Sequence, residues 1–153
     1  MPERPGETPA ERADRNFADI LQETRVLQTG VQVLFAFLLT VPFQGRFTEL
    51  DGVQRGYFLV ALATSAAASI VLAATVAAHR ALFGRGIKDE VVSYAHRALV
   101  AGLVLVGVAV VAGVTLVTDV VVGRPEGVVT AVLAGLAAAV LWYAIPLRLR
   151  LRS

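Results

Sequence analysis

The chain has 153 residues, a formal net charge of +2 and 17% charged residues, with a mean hydropathy of +0.68; an ordinary soluble domain carries about 25% charged residues, and the length fits one domain. Cysteine is absent, which excludes disulfides, thiolate metal sites and cysteine nucleophiles. Lys88 is the one lysine among fourteen basic residues. The arginines sit where membrane topology wants them, with no basic and aromatic surface for nucleic acid.

Residues 1–25 are polar and charged, with no apolar core ahead of a small-residue cleavage site, so no cleavable signal peptide is expected and the first span acts as its own insertion signal. Thr8-Pro9-Ala10-Glu11 spells a capping box with proline at the first helical position. Phe17, Ile20, Leu21 and Thr24 follow at helical spacing. The pattern predicts a short amphipathic helix over 9–25, lying on the inner membrane surface.

Four apolar stretches follow, each near the ~20 residues a helix needs to cross a bilayer. They are expected at about 26–43, 57–78, 98–118 and 128–147, with Pro42 ending the first. The last three hold no Asp, Glu, Lys, Arg or His. The chain thus divides into a tail over 1–25, a four-span domain over 26–147 and a basic tail over 148–153. The expected fold is an all-α integral membrane four-helix bundle.

Basic residues sort by side. Arg4, Arg12, Arg15 and Arg25 precede the first span; Arg80, Arg85, Lys88 and Arg97 lie between the second and third; Arg148, Arg150 and Arg152 follow the fourth. Only Arg46, Arg55 and Arg124 fall on the opposite side. The positive-inside rule then puts both termini in the cytoplasm, and the expected location is the bacterial cytoplasmic membrane.

Small residues recur every fourth position at Ala61, Ser65, Ser69 and Ala73 on the second span, and at Gly127, Ala131, Gly135 and Ala139 on the fourth. Such stripes let helix backbones approach closely. On the first span, Arg25, Gln28, Thr29 and Gln32 fall near one face, and an amide in hydrocarbon must find partners. Two readings stand: a polar lining for a substrate or ion path, or hydrogen bonding between helices. Glu23 would stand at the inner mouth of such a path. Asp119, eleven residues past the middle of the third span, is expected at a hydrated helix end. Gly45, Arg46, Glu49, Asp51 and Arg55 are expected in a solvated outer loop with room for a local ion pair.

Ala78-His79-Arg80-Ala81-Leu82 is echoed by Ala95-His96-Arg97-Ala98-Leu99. The four residues His79, Arg80, His96 and Arg97 form a candidate inner-surface site, through helix-end anchoring, contact with anionic headgroups or proton exchange. No Gly-rich phosphate loop, Ser-His-Asp set or His-Glu metal helix occurs. Neither enzymatic activity, a cofactor nor a metal is expected.

The run from Arg25 to Leu39 (RVLQTGVQVLFAFLL), then Pro42-Phe43-Gln44-Gly45-Arg46-Phe47, and His79-Arg80 after the second span, resemble a family of small four-helix bacterial membrane proteins of unknown function, common in actinobacteria. The resemblance covers about residues 15–120. Some members carry automated labels of sodium/proton antiporter, which implies cation/proton transport as one function. The residues themselves lack the mid-membrane ionisable group that proton coupling usually needs. The expected function is therefore a structural or interaction protein with a basic inner surface, and the alternative is a small cation/proton transporter. Expected partners are membrane lipids, anionic ones included, and a second copy or another membrane protein.

Overall fold

A computed structural model describes residues 6, 8–82 and 88–151. The described residues are helical almost throughout, without strands. Helix α1 spans Pro9–Thr40, α2 Gly52–Leu82, α3 Lys88–Val121 and α4 Arg124–Ala139; a π-turn over Val140–Ala144 joins α4 to α5, Ile145–Arg150. Four segments are long and apolar enough to cross a membrane: Asp14–Phe43, Gly52–Ala78, Val91–Val121 and Arg124–Leu149. The fold is an all-α helical bundle.

The predicted capping box opens α1. Thr8 N–H donates to Glu11 Oε2 at 2.9 Å, and Glu11 N–H donates back to Thr8 Oγ1 at 3.3 Å. The helix then runs unbroken for 32 residues, so the separate amphipathic helix over 9–25 is not found. Nothing between Arg25 and Val26 stops a helix, because the boundary expected there is a change in polarity and not in backbone propensity. The apolar side of this segment is used within the protein: Phe17 packs with Val91 and Ala95, flanked by Ile20, Leu21 and Val92. At the far end Pro42 lies in a 3-10 turn, Val41–Phe43, followed by a second, Gly45–Glu49.

Two compact units divide the chain. One comprises 1–35 and 65–105, the other 36–64 and 106–153. Both are built on heptad-spaced buried lines, the spacing of helices packed side by side at a shallow angle. On α1 the line is Phe17, Thr24, Val31 and Leu38; on α2 it is Phe58, Ala61, Ser65, Ala68, Leu72 and Thr75. On α3, Val91, Ala95, Ala98, Gly102, Ala109, Ala112, Leu116 and Asp119 are buried in the same alternation of threes and fours. In the first unit, α3 passes so close to α2 that a Cβ on Gly102 would sit 2.4 Å from Cδ2 of the fully buried Leu72.

The strict i+4 stripes only partly match these lines. Ala61 and Ser65 are buried, Ser69 is half-buried and Ala73 is exposed; on α4, Gly127 is buried, Ala131 and Gly135 are half-buried and Ala139 is exposed. A step of four residues overshoots a turn of 3.6, so such a stripe winds off the contact face, whereas alternating three and four stays on it.

The π-turn in the fourth span has a local cause. Pro146 lacks an N–H, and its ring collides with the carbonyl four residues back, that of Trp142, in a regular α-helix. Widening the turn over Val140–Ala144 relieves that clash. In the second unit the Trp142 ring edge then lies where a Cβ on Gly107 would approach to 3.0 Å.

Candidate functional site

The densest polar arrangement in the second unit joins the start of α2, the end of α3 and the start of α4. It begins with a cap. Asp51 Oδ1 accepts from the N–H groups of Val53 and Gln54 at 2.8 and 2.9 Å, while Gln54 Oε1 accepts from Asp51 N–H at 3.1 Å. This is a reciprocal capping box with aspartate in the capping position.

Capping leaves Oδ2 of Asp51 and Nε2 of Gln54 free to reach outward. Gln54 Nε2 donates to Asp119 Oδ1 at 2.8 Å. Asp119 closes the buried line of α3, with its side chain only 3% exposed. Arg124 bridges the two aspartates: Nη2 pairs with Asp51 Oδ2, and Nε lies 2.7 Å from Asp119 Oδ2. The Nε–H is not aligned as a hydrogen bond to that oxygen, so this contact is ionic attraction.

The α3–α4 turn delivers Arg124 to this position. Val122 and Gly123 both donate their N–H to Thr118 O, at 2.9 and 3.2 Å. Gly123 has φ +146°, a conformation that L side chains rarely adopt. Pro125 and Glu126 then start α4, with proline's missing N–H and an acidic group both suited to a helix N-terminus. One turn on, α4 presses against α3: a Cβ on Gly127 would lie 3.0 Å from Asp119 Cβ and 3.2 Å from its Cα.

Electrostatics favour the ionised clasp. The backbone N–H of Gln54 does most to hold the Asp51 carboxylate below the usual carboxylate range; desolvation opposes it, and the Val53 N–H and the Arg124 guanidinium reinforce it. The other basic residues at this end are also engaged. Arg46 Nε is 3.4 Å from Glu49 Oε2, and Arg55 Nη2 donates to Thr48 O at 3.1 Å. The loop residues are exposed as expected, with a local ion pair between Arg46 and Glu49, whereas Asp119 is buried and not at a hydrated end.

The first-span set is not assembled. Thr24 and Val31 are the buried residues; Gln28 is half-buried, and Arg25, Thr29 and Gln32 are exposed. Each residue turns a helix by about 100°, so Arg25 and Gln32, each next to a buried residue, point away from the packed face. Thr29 Oγ1 donates to Arg25 O at 2.9 Å. Other hydroxyls in the spans also bond within their own helix: Ser69 to Ser65 O, Thr75 to Leu72 O and Thr115 to Val111 O.

Of the candidate inner-surface set, Arg80, His96 and Arg97 are exposed and no hydrogen bond or ion pair joins them; the side chain of His79 lies outside the described residues. In the first unit an open groove of about 680 Å³ is lined by Asp19, Gln22, Glu23, Val26 and Leu27 of α1 and by Leu99 and Leu103 of α3. Among the described residues no cluster of three His, Cys, Asp or Glu side chains could hold a metal ion.

Sequence spacing held a usable signal for Asp119, namely its place on the heptad line of α3. The clasp partners Asp51 and Arg124, 73 positions apart, carried none. No curated protein matches the chain, and no solved structure does. A family model matches residues 6–146, nearly the whole chain, including the first three membrane-length segments and all but the last three residues of the fourth. The chain belongs to DUF6328, a family of unknown function.

Proposed function

We propose that this membrane protein serves as a structural or interaction element of the bacterial cytoplasmic membrane, with its termini and basic surface in the cytoplasm. It is neither an enzyme nor a carrier in this reading. The observation that carries it is the disposition of polar groups along the spans. Gln32 is on the outside of α1, the hydroxyls of Thr64, Thr75, Thr115 and Thr118 are satisfied by their own helices while that of the buried Thr24 is left without a partner among the described residues, and the buried carboxylate of Asp119 is held by Arg124 and Gln54. Ion carriers expose ionisable groups to a path through the membrane; this disposition favours cohesion. Orientation is supported by charge. Arg46, Arg55 and Arg124 are tied to nearby partners, whereas the exposed Arg80 and Arg97 have none among the described residues and are suited to anionic headgroups.

One observation favours the alternative of a cation/proton transporter: Asp19 and Glu23 line an open groove against apolar residues of α3. It is the weaker reading because the groove residues end at Leu27 on α1 and Leu103 on α3.

Thermal unfolding in phosphatidylcholine bilayers with and without phosphatidylglycerol tests the proposal. The anionic lipid should stabilise the wild type, and Arg80→Gln/Arg97→Gln should lose about 1 kcal/mol of that gain per arginine. Equal stability in both bilayers, or an equal gain in the double variant, would contradict the lipid-facing role.

A further inference from the structure

The exposed surface of α1 has two unlike flanks on either side of the buried Thr24–Val31 line. One carries Val26, Val33 and Phe37, which are 71%, 53% and 69% exposed, and lipid chains satisfy such side chains. The other carries Arg25, Thr29 and Gln32, with Gln28 half-buried at its margin. Thr29 is satisfied through Arg25 O. The amides of Gln28 and Gln32 have no hydrogen-bond partner among the described residues.

Gln32 cannot lean on water. It lies eight residues before the end of α1 at Thr40, so about 12 Å in along the axis, inside a hydrocarbon layer about 30 Å thick. An unpaired amide there is costly. Helix α4 provides a contrast. Its apolar stretch is 0% buried, against 11% for α1, but its exposed residues from Val128 to Leu147 are apolar or aromatic, and lipid meets most of their needs.

We propose that the Arg25–Gln28–Thr29–Gln32 flank of α1 is the contact between two copies of this chain, with the Gln32 amides hydrogen-bonded across a two-fold axis. The proposal rests on the reading of the protein as an interaction element. Copies inserted with the same orientation can be related only by an axis along the membrane normal, which sets Gln32 opposite Gln32 in a parallel helix pair. An amide is both donor and acceptor, so two identical amides satisfy each other reciprocally. Gln28, on the margin of the same flank, is within one turn. Arg25 lies seven residues toward the N-terminus, about 10 Å along the axis, where its long side chain reaches headgroups and water and the like charges of two copies are screened.

The absence of cysteine makes the test direct. Full-length protein would be labelled with donor or acceptor dye, reconstituted in phosphatidylcholine vesicles, and its dimerisation followed by energy transfer as lipid is added. The wild type should dimerise, Gln32→Leu should weaken association about tenfold, and Gln32→Asn should retain most of it. Thr29→Cys should form an intermolecular disulfide under mild oxidation, and Val26→Cys and Phe37→Cys should not. Helix content by circular dichroism should be equal in all variants, because Gln32 has no partner among the described residues. A monomer at every lipid ratio, a dimer indifferent to Gln32→Leu, or cross-linking through Val26→Cys or Phe37→Cys in place of Thr29→Cys would overturn the proposal. Cation flux through a dimer would refute the non-transport reading and leave this contact standing; a monomer without flux would do the reverse.

Discussion

Asp119 accepts a hydrogen bond from one helix and an ionic contact from another while almost fully covered. Removing it leaves Gln54 Nε2 without its acceptor and Arg124 paired only to the exposed Asp51. Asp119→Ala should therefore destabilise the protein by roughly 1–3 kcal/mol, the range for hydrogen bonds to charged groups, with the ionic share kept small because Arg124 is 41% exposed. Chemical or thermal unfolding in detergent micelles reads this directly. Asp51 contributes differently. Its folded pKa is depressed, so its contribution is fully present above the ordinary aspartate value near 4 and is lost as pH falls through the lower folded value. Unfolding midpoints of wild type and Asp51→Asn should differ by a constant amount from about pH 5 to 8 and converge in stronger acid; convergence at neutral pH would contradict the capping role. The burial of Asp119 was legible in the heptad spacing of α3, because the residue continues the line through Ala112 and Leu116. Judging it by depth along the helix alone points instead to a hydrated end. The same spacing on α1 turns Arg25 and Gln32 outward. Partners separated by long stretches of chain, such as Asp51 and Arg124, have no periodic signature.

Helices meet here through lines of small and medium residues, and in the second unit Gly127 of α4 lies close against the backbone of Asp119. Backbone cannot swing aside as a side-chain tip can, so Gly127→Ala must separate α4 from α3 locally, a change that typically costs about 1–3 kcal/mol. Unfolding measurements should show that loss, and combining Gly127→Ala with Asp119→Ala should cost less than the two losses added, because both disturb the same contact. Additive losses would place the two effects at independent sites. Gly135→Ala, whose Cβ would meet nothing within 4 Å, is the matched control and should be nearly silent. At this scale all four spans were legible, since long apolar runs have few other uses. Their ends were less so. α1, α2 and α3 each extend beyond the apolar run into polar sequence, and hydropathy carries no information on a helix once it leaves hydrocarbon.

Across the whole molecule, eleven basic residues lie in the two tails and between the second and third apolar runs, against three in the other two connections, and those three are all tied to neighbours. Arg80 and Arg97, of the larger set, are exposed. Family membership extends over residues 6–146, so the N-terminal part of α1, the clasp and most of the fourth span belong to the shared unit. Among the polar groups inside it, the hydroxyls of Thr64, Thr75, Thr115 and Thr118 are turned onto their own helices and the carboxylate of Asp119 is held by a clasp at the ends of α2, α3 and α4. The central claim is that these groups provide cohesion and contact and do not carry ions. Proteoliposomes loaded with a pH-sensitive dye and given sodium or potassium gradients test it most directly, with Glu23→Gln to silence the groove on α1 and α3. The account predicts proton movement no faster than in empty liposomes, for wild type and variant alike, from protein whose helix content shows it folded. Cation-dependent proton flux that Glu23→Gln abolishes would contradict it and establish the chain as a transporter.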